Sequence, residues 1–527
     1  MQYNSFVFLG LFFVLVLLAY YIAPLKARWC VLLGASIVYY LISGHWLIVI
    51  VAGTALVVYG AARRIDRIST EAKAKRKQLP KEERKAFKQQ VARKKKHVLA
   101  AACIFCIGLL LFLKYFNFVG GNINHIFETV GWAGRIPFLK LFLPLGISFY
   151  SMSAVSYLAD VYWEKYPAEK NYLKMLLFLT FFPVVVEGPI SRFDQLGHQL
   201  FEGHRFDYQK FTYGAQRIIW GLFKKVVIAD RLNMFVSVIF NGSENYGGAA
   251  VFFAIIGYTV QLYTDFSGCI DIAAGCAQML GIDLASNFEQ PFFSRNVNEF
   301  WRRWHITLGA WLRDYIFYPI SLSKFFQKIS KGARKHMNEY YAQTIPPMVA
   351  LFVVWFICGL WHGAEWKYIV YGLYYYAIMV VGMLAEPLFH KVCTALHINR
   401  SGKGFGVFQL IRTLVFVNIG MLIFNAKTLT VAGSMFVSLF EPAKWTSFAF
   451  VKDVALNNYD YILLILCTAL VLIVDICKEK GICMRDRIAA MHFPARTAIY
   501  IGAIVCVAIF GAYGPGYGAV DFIYAQF

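Results

Sequence analysis

Apolar runs about as long as a bilayer is thick alternate with short polar turns along most of this chain. The first, 5–22, ends at the basic turn Leu25-Lys-Ala-Arg28, and the second, 29–43, ends at Ser43-Gly-His-Trp46. The third, 46–61, runs into a long charged stretch, after which a fourth follows at 98–116. Further apolar segments lie near 137–160, 172–186, 212–240, 249–265, 268–281, 344–361, 366–386, 408–424, 459–476 and 495–513. A helix needs roughly 20 such residues to cross hydrocarbon, so the pattern predicts an all-α, polytopic integral membrane protein. The run from Phe6 to Ile22 lacks a basic n-region and a small-residue cleavage site and reads as a retained first span. Two segments are interrupted, one by Pro144-Leu-Gly146 and one by Phe-Phe-Pro183 and Glu187-Gly-Pro189. Broken backbone at membrane depth must be satisfied by protein or by a wet cavity. Tilted or re-entrant helices around a cavity are therefore expected.

Composition agrees: 59% of residues are hydrophobic and 16% charged, against about 25% charged in soluble domains. The formal net charge of +22 is concentrated locally, with 15 Lys/Arg against 4 Asp/Glu between Arg63 and Lys96. In a membrane protein such a run reads as a cytoplasmic loop, here 62–97, and not as a nucleic-acid tail. That placement also puts Leu25–Arg28 in the cytoplasm and the N-terminus outside. The run is rich in helix formers and suits a charged helix on an anionic leaflet. A second basic stretch, Lys324 to His336, is also expected to be cytoplasmic. The 11 cysteines fall mostly in apolar segments; Cys103 and Cys106 have C-x-x-C spacing but no further ligands, and read as core thiols.

The chemistry concentrates around two histidines. His305 ends Glu299-Phe-Trp-Arg-Arg-Trp-His305, and His362 lies in Gly359-Leu-Trp-His-Gly363. Ionisable groups at membrane depth usually line a path or a cavity. Neutral imidazole is the side chain best suited to taking a proton near pH 7. His362 therefore suits deprotonation of a hydroxyl that attacks an activated acyl group, with Trp361 as an apolar wall and Gly363 leaving room for substrate. A buried histidine bonded to a carbonyl is the other reading. A helix starting near Ile345 places His362 roughly 25 Å along its axis, so the two histidines are expected at different depths, His305 nearer the cytoplasm. Trp301, Arg302, Arg303, Trp304, Trp311 and Arg313 read either as an interfacial helix with snorkelling arginines or as a cationic mouth for a phosphate-bearing donor. Asp265, Ser267 and Asp271 form a polar row that either orients a histidine or pairs with a basic residue. Glu187 and Arg192 are expected to form a local or cavity-lining pair. His198 and His204 lack matching ligands, and no zinc, Walker or nucleophile-elbow pattern occurs; no metal or bound cofactor is expected.

Six short motifs occur in order: Leu143-Pro-Leu-Gly-Ile-Ser-Phe-Tyr150, Gly188-Pro-Ile-Ser-Arg192, Asp265-Phe-Ser-Gly268, Asn287-Phe288 with Pro291-Phe292, Glu299 to His305 with Trp311-Leu-Arg-Asp-Tyr315, and Leu360-Trp-His-Gly363. Together they resemble the membrane-bound O-acyltransferase family, in the bacterial branch holding alginate O-acetylation proteins and the D-alanyl transfer protein of teichoic acids. The resemblance implies a ring of transmembrane and re-entrant helices around a central tunnel, with donor entering from the cytoplasm and acceptor from the other face. It places the family's catalytic histidine on His362 and its second polar position on His305. The chain departs from the alginate-type pattern at Cys269-Ile270-Asp271, at Ser321-Leu-Ser-Lys324 and at Phe424-Asn425-Ala426.

The resemblance thus implies one membrane domain over 1–527, with a motif-bearing core at 143–375 and C-terminal spans over 400–527. It implies an O-acyltransferase that draws acetyl from acetyl-coenzyme A, or an acyl group from an acyl carrier protein. The acceptor is an extracytoplasmic polysaccharide or cell-wall glycan, reached directly or through an SGNH-type partner, and the location is the bacterial cell membrane. D-alanyl transfer towards teichoic acid is the alternative within the family. A non-catalytic transporter is the alternative outside it, since broken helices with polar midplane groups also mark transporters. The long stretch after His362 favours acetyl transfer. With no committed nucleophile in sight, direct attack by the activated hydroxyl is expected.

Overall fold

The computed structural model describes residues 1–445, 450–454 and 456–513. Among them no β-strand forms; a single antiparallel bridge joins Phe288 to Trp304. Eight helical stretches among the described residues are long and apolar enough to cross a membrane, including Glu83–Thr129, Ala249–Met279, Glu339–His362, Trp366–Ala395 and Lys403–Asn425. The all-α polytopic reading of the hydropathy pattern therefore holds. Many helices send large apolar side chains outwards, as Leu11, Leu15 and Leu18 do along one stripe of the first apolar helix, the arrangement expected where the solvent is lipid.

The described chain divides into two compact units. The first comprises Met1–Ala215 with Ala273–Ala285, the second Gln216–Ile272 with Ser286–Phe527. In the first, the basic run is no irregular loop. The helix Ile48–Gln78 continues straight from its apolar half into charged residues, turns at Leu79–Glu82, and returns as Glu83–Thr129. The predicted break at Pro144-Leu-Gly146 is present. Gly146 adopts φ 69°, and a Cβ there would collide with the carbonyl oxygen of Val185. Glycine is the residue that takes this left-handed backbone without steric cost, and the helix Ile147–Tyr162 starts directly after it. The helix Tyr172–Thr180 likewise stops before Phe-Phe-Pro183.

Two expectations about elements are corrected. The segments 249–265 and 268–281 are one helix, Ala249–Met279, with no break at Ser267-Gly268. Gly268 stays helical because it lies against the backbone of Gly221, where a side chain on either residue would clash. This helix is the most enclosed of the apolar eight, and its polar residues are held by buried partners. The segment 296–318 is not a single interfacial helix. It is Val297–Arg303, capped by the Asn296 side chain on the Glu299 N–H at 2.9 Å, then Ile306–Leu312, then a π-helical turn at Arg313–Phe317. The break falls at Trp304-His305, where Trp304 turns extended to bridge Phe288 and the Glu289 N–H donates to the Arg303 carbonyl at 2.9 Å.

In the second unit, Glu339–His362 and Trp366–Ala395 form a tight hairpin. Gly359 faces the Tyr368 carbonyl, and Gly372 faces the carbonyl of Trp355; a Cβ at either would approach those oxygens to 2.4 and 2.3 Å. This reciprocal backbone approach is the small-residue packing available to helices in lipid, and it fixes the level at which the first helix ends, on His362.

Candidate active site

Each histidine sits where a helix begins or ends. His305 caps the N-terminus of Ile306–Leu312 with φ 48° and ψ 51°, a left-handed conformation uncommon outside glycine and asparagine. His362 is the last residue of its helix. Both are 2% exposed. They share one neighbour. The Trp361 indole lies 5.5 Å from the His305 ring and 5.0 Å from the His362 ring, centroid to centroid. The two imidazoles therefore lie no farther apart than the sum of those distances, closer than counting along one helix axis suggests. The chain breaks at Trp304, and the ends of two helices meet, so distance along one helix axis is not the distance between the groups.

Aromatic rings complete the walls. His362 is edge-on to Tyr371 at 5.6 Å and to Phe424 at 5.1 Å, with Tyr368 at 6.5 Å. His305 is edge-on to Phe266 at 4.8 Å. Trp301 packs on Trp355, Tyr371 and Tyr375, so Tyr371 joins the Val297–Arg303 helix to the His362 pocket. Gly363 has a different use from the one expected. Its backbone is extended, which any residue adopts, and the space beside it is filled by the Tyr368 ring, 2.4 Å from where a Cβ would lie. The glycine admits a tyrosine rather than a substrate.

The protonation state of His305 follows from Asn287. The Asn287 Oδ1 accepts from the Thr307 N–H at 3.1 Å and the Thr307 hydroxyl at 2.8 Å, and lies 3.2 Å from His305 Nδ1. A backbone N–H can only donate, so the atom it meets is the amide oxygen. The imidazole nitrogen facing that oxygen must then carry a proton, which leaves the lone pair on Nε2. Burial pushes the His305 pKa down to about 3, so the ring is neutral and Nε2 is a hydrogen-bond acceptor.

The polar row on Ala249–Met279 is held by basic residues. Asp265 pairs with Lys225 at 2.5 Å, and Asp230 reaches the same ammonium at 2.9 Å. Asp271 pairs with Lys224 at 2.6 Å and Arg217 at 2.8 Å, while Lys224 also donates to Ser267 at 2.8 Å. Of the motif Asp265-Phe-Ser-Gly268 it is Phe266 that touches a histidine. The pairing alternative is the one that forms. Lys224 and Lys225 were not singled out from the sequence; they lie in a π-helical turn, Phe223–Ala229, an irregularity often found at functional sites. Two adjacent lysines inside an apolar run were the available signal. In the sequence Asn287 and Phe424 stand out only as motif positions, and Tyr371 carries no signal beyond its helix face.

The remaining predicted residues are spread out. Trp304 is core, stacked on Phe300 at 5.5 Å. Arg303 is held by Glu299 and Glu479, both at 2.7 Å. Arg313 pairs with Asp314 at 2.9 Å and stays exposed, as does Arg302. Trp311 is buried against Tyr315. Among the described residues, no group of three His, Cys, Asp or Glu side chains is placed to hold a metal.

The sequence model of the membrane-bound O-acyltransferase family matches residues 167–333, a segment that includes His305 and ends before His362. The chain is 32% identical to the probable alginate O-acetylase AlgI of Azotobacter vinelandii over 452 residues, 85% of this chain and 79% of that one. It is 28% identical to a peptidoglycan O-acetyltransferase of Helicobacter pylori, covering 61% of this chain and 60% of the relative. It is 27% identical to the teichoic acid D-alanyltransferase of Bacillus subtilis, covering 54% and 69% respectively.

Proposed function

The chain belongs to the membrane-bound O-acyltransferase family, and on that footing we propose that it carries acetyl from acetyl-coenzyme A to a hydroxyl of an extracytoplasmic polysaccharide. The acceptor is reached directly or through an SGNH-type partner, and the protein works in the bacterial cell membrane with its donor on the cytoplasmic side. The observation that carries this reading is the pair of buried imidazoles that share Trp361 as a neighbour. Acyl transfer to a hydroxyl needs a base inside a dry site, and a buried histidine in an aromatic enclosure supplies one.

In this reading His362 takes the proton of the acceptor hydroxyl as its oxygen attacks the thioester carbonyl. The tetrahedral intermediate collapses with cleavage of the carbon–sulfur bond, and the leaving thiolate recovers the proton from the imidazolium. One ester and one thiol form, and no acyl-enzyme is needed. His305 is not suited to donate to the oxyanion, because its proton faces Asn287; its Nε2 instead accepts a hydrogen bond from donor or acceptor. Arg302 and Arg313, both exposed, meet the donor's phosphates, with Trp301, Trp304, Trp311, Arg303, Asp265 and Ser267 holding the segments that present them.

The ranking of acetyl over D-alanyl transfer draws on coverage. The alginate O-acetylase likeness extends over 85% of this chain and the D-alanyltransferase likeness over 54%. Purified protein in vesicles should consume labelled acetyl-coenzyme A when acceptor glycan is supplied. Turnover of a D-alanyl carrier protein with none of acetyl-coenzyme A would reverse the choice.

Asn287→Ala removes the acceptor shared by Thr307 and His305. Each stranded buried donor costs about 1–3 kcal/mol, and a fall of roughly tenfold to a hundredfold in kcat is expected. Because Asn287 acts through His305, the pH–rate profile should also change shape, as the ring is released to its other tautomer. An unchanged profile with a lower Tm would mark Asn287 as purely structural.

A further inference from the structure

The first unit carries an open groove on the basic hairpin. A cavity of about 370 Å³ is lined by Ala92, Arg93, Lys96, His97 and Ala100 of the helix Glu83–Thr129, and by Tyr162 at the end of Ile147–Tyr162. Positions 93, 96, 97 and 100 lie three to four residues apart, so one helix face builds the wall. Along that face the chemistry changes. Arg93, Lys96 and His97 are the last basic residues of the charged half, and Ala100 belongs to the apolar half, Val98 to Leu113, that enters the membrane. Seven residues of helix amount to about 10 Å, so the cavity runs from the charged half of the helix into its apolar half.

Its charge is uncompensated. The nearby carboxylate, Glu164, is already held by Lys95 at 2.7 Å and Lys73 at 2.9 Å. Their hydrogen bonds pull its carboxyl down to about 2. Lys95 also lies over the Tyr162 ring at 5.2 Å, which adds to the positive field behind the cavity wall. Among the described residues no carboxylate lies within ion-pair distance of Arg93, Lys96 or His97.

We infer that this cleft binds the headgroup of an anionic phospholipid, with the phosphate between Arg93, Lys96 and His97 and the glycerol and acyl chains descending past Ala100. The polar end alone would suit any phosphate. The apolar end, at the level where the helix enters hydrocarbon, fits a ligand that is itself part water-facing and part lipid. The cleft is remote in sequence from both histidines and does not depend on the acyltransfer reading.

The test is retention of phosphatidylglycerol by the full-length protein in neutral detergent, read by native mass spectrometry against phosphatidylcholine. Wild-type protein should retain phosphatidylglycerol preferentially. Arg93→Gln with Lys96→Gln should lower that preference roughly thirtyfold, at about fivefold for each cation near a charged leaflet. These side chains are exposed, so the variant should elute as wild type does. Lys77→Gln with Lys81→Gln, at the hairpin tip, should leave retention unchanged. An equal loss at the tip would mean diffuse attraction and overturn the site. Displacement of the lipid by millimolar glycerol phosphate would also overturn it, because the ligand would then be a soluble phosphate.

Discussion

Vesicles carrying His362→Gln protein should transfer acetyl about 10²–10⁴-fold more slowly than wild type, the span expected when a general base is lost. Glutamine approaches the volume of imidazole and keeps a polar head in the cage of Trp361, Tyr371 and Phe424, so folding should survive. His362→Ala should show the same loss with a lower Tm, since it also empties a buried site. The defect should fall on kcat and leave the KM for acetyl-coenzyme A nearly unchanged. A group that takes a proton only as the bond forms stabilises the transition state and not the bound donor. His305→Gln should separate from this pattern by raising the KM for one of the substrates, because His305 Nε2 is cast as a hydrogen-bond acceptor. Full activity in His362→Gln would remove that residue from the chemistry. A labelled acetyl group trapped covalently on the protein would replace direct attack with a two-step route.

What the sequence revealed about this site depended on which interactions are local. Membrane helices are written in runs of apolar residues, so the all-α fold and most segment positions were legible. Proline and left-handed glycine act on their own neighbours, so the break before Ile147 was legible as well. Breaks without such residues were not. Trp304-His305 interrupts a helix-compatible string because a distant segment, Asn287–Glu289, pairs with its backbone. Conversely, Ser267-Gly268 looks like a break, but the helix persists because Gly221 packs against it. The same non-local pairing brought His305 next to Trp361, which counting residues along one helix had placed far apart. The acidic residues on Ala249–Met279 could be recognised as needing partners, since lipid offers none. That the partners include Lys224 and Lys225 depended on the register between two helices.

That register yields the second large effect. Lys225 is fully buried, and its ammonium lies between two buried carboxylates, Asp265 at 2.5 Å and Asp230 at 2.9 Å. Lys225→Met keeps most of the side-chain volume and removes the charge. Two buried carboxylates then lose the cation they share. Breaking a buried ion pair from one side costs about 3–5 kcal/mol, enough to threaten a marginally stable fold. The variant should unfold well below wild type in detergent, and membrane yield should fall. The loss should shrink as the pH is lowered from 8 towards 5. Protonating a carboxylate removes the stranded charge, and a buried acid takes a proton far more readily than an exposed one. The triple change Lys225→Met, Asp265→Asn, Asp230→Asn should recover much of the stability, because exchanging a whole buried network for neutral groups is often near neutral. If the single variant melts as wild type does at pH 8, the ammonium is not what holds the Phe223–Ala229 turn against Ala249–Met279. If the triple variant recovers stability but not activity, the charges serve the site as well as the fold. Lys224 is bonded to Ser267, next in sequence to the Phe266 that touches His305, and it offers the shortest route for that effect.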